Sequence, residues 1–108
     1  MANPKRGEID AVIGGETMTL CLTLGALAEL EARLQAGDLN GLVERFAEGR
    51  ISARDLTSIL GAGLRGAGHA ITDDDLARLA IEDGLKGAAE IAARLLRATF
   101  GGAEGGPS

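Results

Sequence analysis

Residues 8–34 read EIDAVIGGETMTLCLTLGALAELEARL, and within them the apolar period changes from that of a strand to that of a helix. In the first arm Ile9, Ala11 and Ile13 alternate with Glu8 and Asp10, and Gly14-Gly15-Glu16 supplies a tight turn. In the second arm Met18, Leu20, Leu22 and Leu24 fall on one face, with Thr17, Thr19, Cys21 and Thr23 on the other. Alternation, β-branched threonines and a Gly-Gly turn together predict a β-hairpin over residues 8–24. A lone hairpin is marginal in water, so its leucine face requires helices to pack on.

The remainder supplies them. Leu27, Leu30 and Leu34 recur at helical spacing from Ala26 to Gln35, and Gly37 ends that segment. Asp38 is placed to cap a second helix carrying Leu39, Leu42, Val43 and Phe46, closed by Gly49. Ser52-Ala-Arg-Asp55 has the outline of a capping box and opens a third helix with Leu56, Ile59, Leu60 and Leu64 facing inward. Thr72 caps a fourth, whose first turn holds Asp73, Asp74 and Asp75, where the helix dipole favours negative charge. The pattern continues through Leu76 and Leu79, is either split or only loosened at Gly84 and Gly87, and resumes with Ile91, Leu95, Leu96 and Phe100. The expected fold is therefore α+β, an N-terminal hairpin packed on a small bundle of four to five helices. Residues 8–100 form one domain, with residues 1–7 a flexible N-terminus and 101–108 a disordered Gly-rich tail.

Gly61-Ala-Gly63-Leu-Arg-Gly66 is a literal G-x-G-x-x-G. A dinucleotide fingerprint requires a buried strand before it and a helix starting inside it, so that backbone N–H groups meet the pyrophosphate. Helical spacing precedes it here, so the stretch reads as the unravelling end of the third helix, a glycine-rich loop. Asp73-Asp74-Asp75 lacks the alternating ligands and distant Glu of a calcium loop. His69 is the only histidine and has no cysteine beside it, and Cys21 is the only cysteine, so neither a catalytic pair nor a cysteine zinc site is expected. No catalytic residue, metal or cofactor is expected, and the chain reads as a non-enzyme.

A net charge of −5 over 108 residues gives no general attraction to nucleic acid or anionic lipid, and neither is an expected partner. No apolar run is long enough to span a bilayer, which points to a cytoplasmic protein. Residues 51–72 do outline a helix-turn-helix, with Arg45, Arg50, Arg54 and Arg65 nearby, and a DNA-binding regulator is a rival reading. Its second helix, however, is glycine-rich and offers no Arg, Asn and Gln cluster for base edges. The C-terminal stripe of Ile91, Leu95, Leu96 and Phe100, flanked by Arg94 and Arg97, has two readings. It is either an ordinary core-facing helix or a helix that docks on another protein.

The N-terminal run Asn3-Pro4-Lys5-Arg6-Gly7-Glu8, the Ile13-Gly-Gly-Glu16 turn and the LTLGALAELEARL junction (Leu22 to Leu34) resemble a family of small phage-tail proteins. These belong to gene transfer agents, the domesticated phage-like particles of alphaproteobacteria. The resemblance covers residues 3 to about 100 and rests on the order of these pieces more than on any one of them. It implies a non-enzymatic part in tail building, either as a structural tail tube component or as a tail assembly chaperone that binds the tape-measure and tail-tube proteins. Incorporation in the particle and self-association are both compatible with it, and a general adaptor outside any phage context is the alternative to it. Positions carried over are Arg6, Gly7, Glu8, Leu24, Gly25, Leu27, Leu30 and Glu31. Of these, Arg6 and Glu8, with Ile91, Leu95, Leu96 and Phe100 of the C-terminal stripe, are the candidate partner-binding residues.

Overall fold

The computed structural model describes residues 3, 6–33, 39–81 and 83–100, with 39 and 40 by backbone alone. Leu34, Gly37 and Asp38, the Leu39 side chain and the segment 101–108, each given a part above, lie outside that description. Strands β1 (Glu8–Ile13) and β2 (Glu16–Cys21) pair antiparallel, with Ile13 opposite Glu16 and Glu8 opposite Cys21. Gly14 and Gly15 form the two-residue turn with φ of +64° and +83°. Two consecutive positive φ values match the twist of the flanking strands and favour glycine.

Among the described residues five helices follow: α1 (Leu24–Arg33), α2 (Leu39–Ala47), α3 (Ala53–Gly66), α4 (Asp73–Ala77) and α5 (Gly84–Phe100). The α+β architecture is thus the one read from the apolar periods. The first junction, however, comes earlier than the alternation predicts. Thr23 acts as a cap: its hydroxyl oxygen accepts the Ala26 N–H at 3.1 Å, and its carbonyl accepts the Leu27 N–H at 2.8 Å. The strand pattern therefore stops at Cys21, and Leu24 becomes the first helical residue, 86% exposed, instead of the last leucine of the hairpin face. Leu20, Leu22, Ala26 and Leu30 are buried, and Leu27 is half-buried.

The second correction concerns the glycine motif. Gly61 to Gly66 do not unwind from α3; they are its last turns. Each Gly costs about 1 kcal/mol relative to Ala inside a helix, so something must offset a run of three. Close approach does. A Cβ on Gly63 would stand 2.7 Å from Leu95 Cδ2, and one on Gly66 would stand 2.1 Å from the Cys21 carbonyl oxygen. α3 is consequently the central element, packed against β2, α1, α5 and α4. Its Leu56, Ile59, Leu60 and Leu64 meet Ile9, Ile13 and Leu20 of the hairpin and Ile91, Leu95 and Leu96 of α5 in one apolar cluster.

Two of the capping signals lie within the described residues, and the Ser52 box forms in part, its Asp55 carboxylate pairing with Arg45 at 3.1 Å. Ser52 Oγ accepts the Asp55 N–H at 3.0 Å at the start of α3, and Thr72 and Asp75 make a reciprocal capping box at α4. α4 is only five residues long, and the chain re-enters α5 through Asp83 at φ +68° and Gly84 at φ +57°. Of the two readings open at these glycines, the split is the one that forms, and α4 and α5 are separate helices.

Candidate interaction surfaces

Three features outside the core could carry function, and each follows from how the helices are placed. The first is an apolar cleft of about 220 Å³ between α3, α4 and the start of α5. Leu56 and Leu60 form its floor, Leu76, Leu79 and Ile81 one wall, and Leu85 and Ala88 the other. Leu85, in the first turn of α5, is 61% exposed. On its far side a second hollow runs to Phe46 and Ile51, so Leu85 stands as an apolar ridge between two apolar depressions. Neither Leu85 nor this ridge is signalled by periodicity, because the two glycines beside it obscure the start of the helix.

The second is the outer edge of β2. In the register set by the Gly14-Gly15 turn, the backbone groups of Thr17 and Thr19 point away from β1. They find no backbone partner among the described residues. The β1 edge is better covered: Arg94 donates to the Asp10 carbonyl, and the Glu8 N–H donates to the Asn3 carbonyl at 3.2 Å.

The third is a closed ring of charges on α1, α3 and the start of α4. Arg65 donates to both Glu29 oxygens, to Asp73 Oδ1 at 3.0 Å and to the Ile71 carbonyl at 2.9 Å. Arg33 completes the circuit by donating to Asp73 Oδ2 and pairing with Glu29 at 3.4 Å. Burial disfavours the Arg65 charge, but the hydrogen bonds and charges of Glu29 and Asp73 outweigh it and raise the guanidinium above its ordinary value. The sequence sets Arg65 beside the helix-turn-helix outline with Arg45, Arg50 and Arg54; the fold pairs it with Asp73 nearby in the chain and with Glu29 far from it.

The six candidate partner-binding residues divide sharply. Ile91, Leu95 and Leu96 are buried in the chain's own core, which selects the core-facing reading of the C-terminal stripe, while Phe100 is 42% exposed. Arg6 and Glu8 close the open end of the hairpin. They pair at 3.8 Å, Glu8 Oε1 accepts the Asn3 N–H at 2.8 Å, and the Arg6 carbonyl accepts the Cys21 thiol at 3.6 Å. The structure therefore does not bring the six into one surface.

Among the described residues no group of three or more His, Cys, Asp and Glu side chains is positioned to hold a metal ion, and no helix is long and apolar enough to cross a membrane. His69 is half-buried, its N–H bound to the Leu64 carbonyl at 3.0 Å just past the end of α3. The helix-turn-helix outline does not form, since its supposed turn is helical and the helix that follows opens with three aspartates.

The apolar cleft, the open strand edge and the charge ring are the surface features of a small α+β domain. Residues 6–102 match the model of a family described as phage tail tube protein, GTA-gp10, and the chain belongs to that family. Among curated proteins and among solved structures no match was found.

Proposed function

We propose that this chain serves tail morphogenesis as an assembly chaperone, shielding apolar helical segments of the tape-measure protein and guiding tail-tube subunits around it before the particle is complete. The observation that carries this reading is Leu85, a large apolar side chain 61% exposed on the rim of an apolar cleft. A groove walled by Leu56, Leu76 and Leu85 suits the apolar stripe of a partner helix, and the family supplies the tail context. Binding is by side-chain packing, with no covalent step.

A second reading, a structural tail tube component, is favoured by the family's description and by the open β2 edge, where a neighbouring strand could add. Two strands of six residues offer little sheet for a tube wall, which is why the chaperone reading is placed first. Co-expression with the tape-measure and tail-tube proteins of the same system tests both. The chaperone reading predicts capture of the tape-measure protein by the wild-type chain and its loss with Leu85→Asp, the variant remaining folded by circular dichroism. Capture of the tail-tube protein alone, unaffected by Leu85→Asp, would favour the second reading.

A further inference from the structure

We propose that residues 69–81, which carry α4, form a strap that opens away from α3 while the rest of the fold stays closed, with Arg65 and Asp73 as its latch. This is a property of the chain by itself and holds whatever partner the cleft receives.

Four observations converge on it. α4 has five residues, too few to be stable as a helix on its own, and it packs on α3 through Leu76. Left-handed backbone positions lie on either side of the strap, Gly68 at φ +99° before it and Asp83 and Gly84 at +68° and +57° after it, the short element-terminal positions at which hinges absorb backbone change. Among the described residues it is attached by ion pairs and single hydrogen bonds, the His69 N–H on the Leu64 carbonyl at 3.0 Å included, with Ile71, Leu79 and Ile81 only partly buried against the core. Asp73 binds Arg65 and Arg33, the Ile71 carbonyl accepts from Arg65, and the Ala80 carbonyl accepts the Gly14 N–H at 2.8 Å. Finally, the space beneath it is already an incompletely filled cleft floored by Leu56 and Leu60, so opening enlarges an existing gap and withdraws one buried core side chain, Leu76.

Gly61 gives the latch its seat. A Cβ there would lie 2.2 Å from Asp73 Oδ1 and 3.2 Å from Arg65 Nη1, so only glycine lets the Asp73 carboxylate settle over α3. The latch can therefore be disturbed in two unrelated ways: Asp73→Asn removes its charge, and Gly61→Ala displaces the carboxylate while keeping every charge and adding a better helix former to α3.

Hydrogen exchange followed by mass spectrometry on the full chain tests the strap. In the wild type, amides of residues 74–81 should exchange at least about 10-fold faster than those of 59–64 and 91–96, as a locally opening unit does. Both variants should accelerate residues 74–81 by a further factor of about 3 or more, with 59–64 and 91–96 keeping wild-type rates. Equal wild-type rates in all three segments would overturn the proposal. So would acceleration of all three together, which would place α4 in the global folding unit, or variants that leave residues 74–81 unchanged.

Discussion

Gly66 and Cys21 meet across the α3–β2 contact so closely that a single added carbon on Gly66 would stand 2.1 Å from the Cys21 carbonyl oxygen. The obstacle is backbone, held by the strand, and cannot swing aside. Gly66→Ala should therefore lose more to overpacking, typically about 1–3 kcal/mol, than it gains from helix propensity. Gly61→Ala meets only the ends of the Asp73 and Arg65 side chains, so its global stability should stay within about 1 kcal/mol of wild type. Urea unfolding of the two alanine variants checks the ordering; equal midpoints would mean that α3 and β2 separate at low cost.

Leu22 and Leu24 belong to one alternating run but have opposite surroundings, 6% against 86% exposed. Leu22→Asp buries an unpaired carboxylate, at a cost comparable with the roughly 5–15 kcal/mol stability of a whole domain, and should abolish cooperative unfolding. Leu24→Asp places an acid in the first turn of α1, where the helix dipole favours it, and should shift stability by no more than about 0.5 kcal/mol. Thermal melts of the pair would reject the Thr23 cap if Leu24→Asp proved as damaging as Leu22→Asp.

Leu95 and Leu85 make the same contrast on α5. Leu95 is fully buried beneath Gly63, and Leu95→Asp should leave the chain unfolded by circular dichroism. Leu85→Asp replaces an exposed apolar side chain, and its melting temperature should stay within a few degrees of wild type. A folded Leu95→Asp protein would return the C-terminal stripe to the surface.

Burial first, and the nearby Glu8 charge second, push the Cys21 thiol above its ordinary pKa, with Arg6 partly opposing them. Because the thiolate is the nucleophile, native Cys21 should react with iodoacetamide at pH 8 more slowly than the urea-unfolded chain does. The sign for stability follows from the same shift. The contribution is fully present below the ordinary thiol pKa, where both states hold the proton, and is lost as pH rises through the raised native value, because the unfolded chain ionises first. Glu8→Gln should speed native alkylation; no change would remove Glu8 as a cause.

How much of this was legible in the sequence depended on whether the deciding force was local. The Gly14-Gly15 turn, the Ser52 and Thr72 caps and the inward face of α3 rest on short-range chemistry, and the residues declare them, whereas the α5 stripe is legible as a stripe but not as core. The helical Gly61–Gly66 stretch was not legible, since what holds it is contact with Leu95, Leu20 and the Cys21 carbonyl, all distant in sequence. Local propensity points to a loop there, and tertiary packing overrides it. The Arg65 ring and the Leu85 ridge were hidden for the same reason: nothing near Arg65 announces Glu29, and nothing near Leu85 shows that no neighbour covers it.

In the proposed chaperone role this chain helps build the tail without being its wall. Quantitative mass spectrometry of purified, intact particles tests it most directly, by counting copies of this protein against the principal tail-tube subunit. A chaperone should be absent from them, or present far below one copy per tube ring, while remaining abundant in lysates where tails assemble. A fixed copy number per ring would contradict it and make the chain a structural part of the tube.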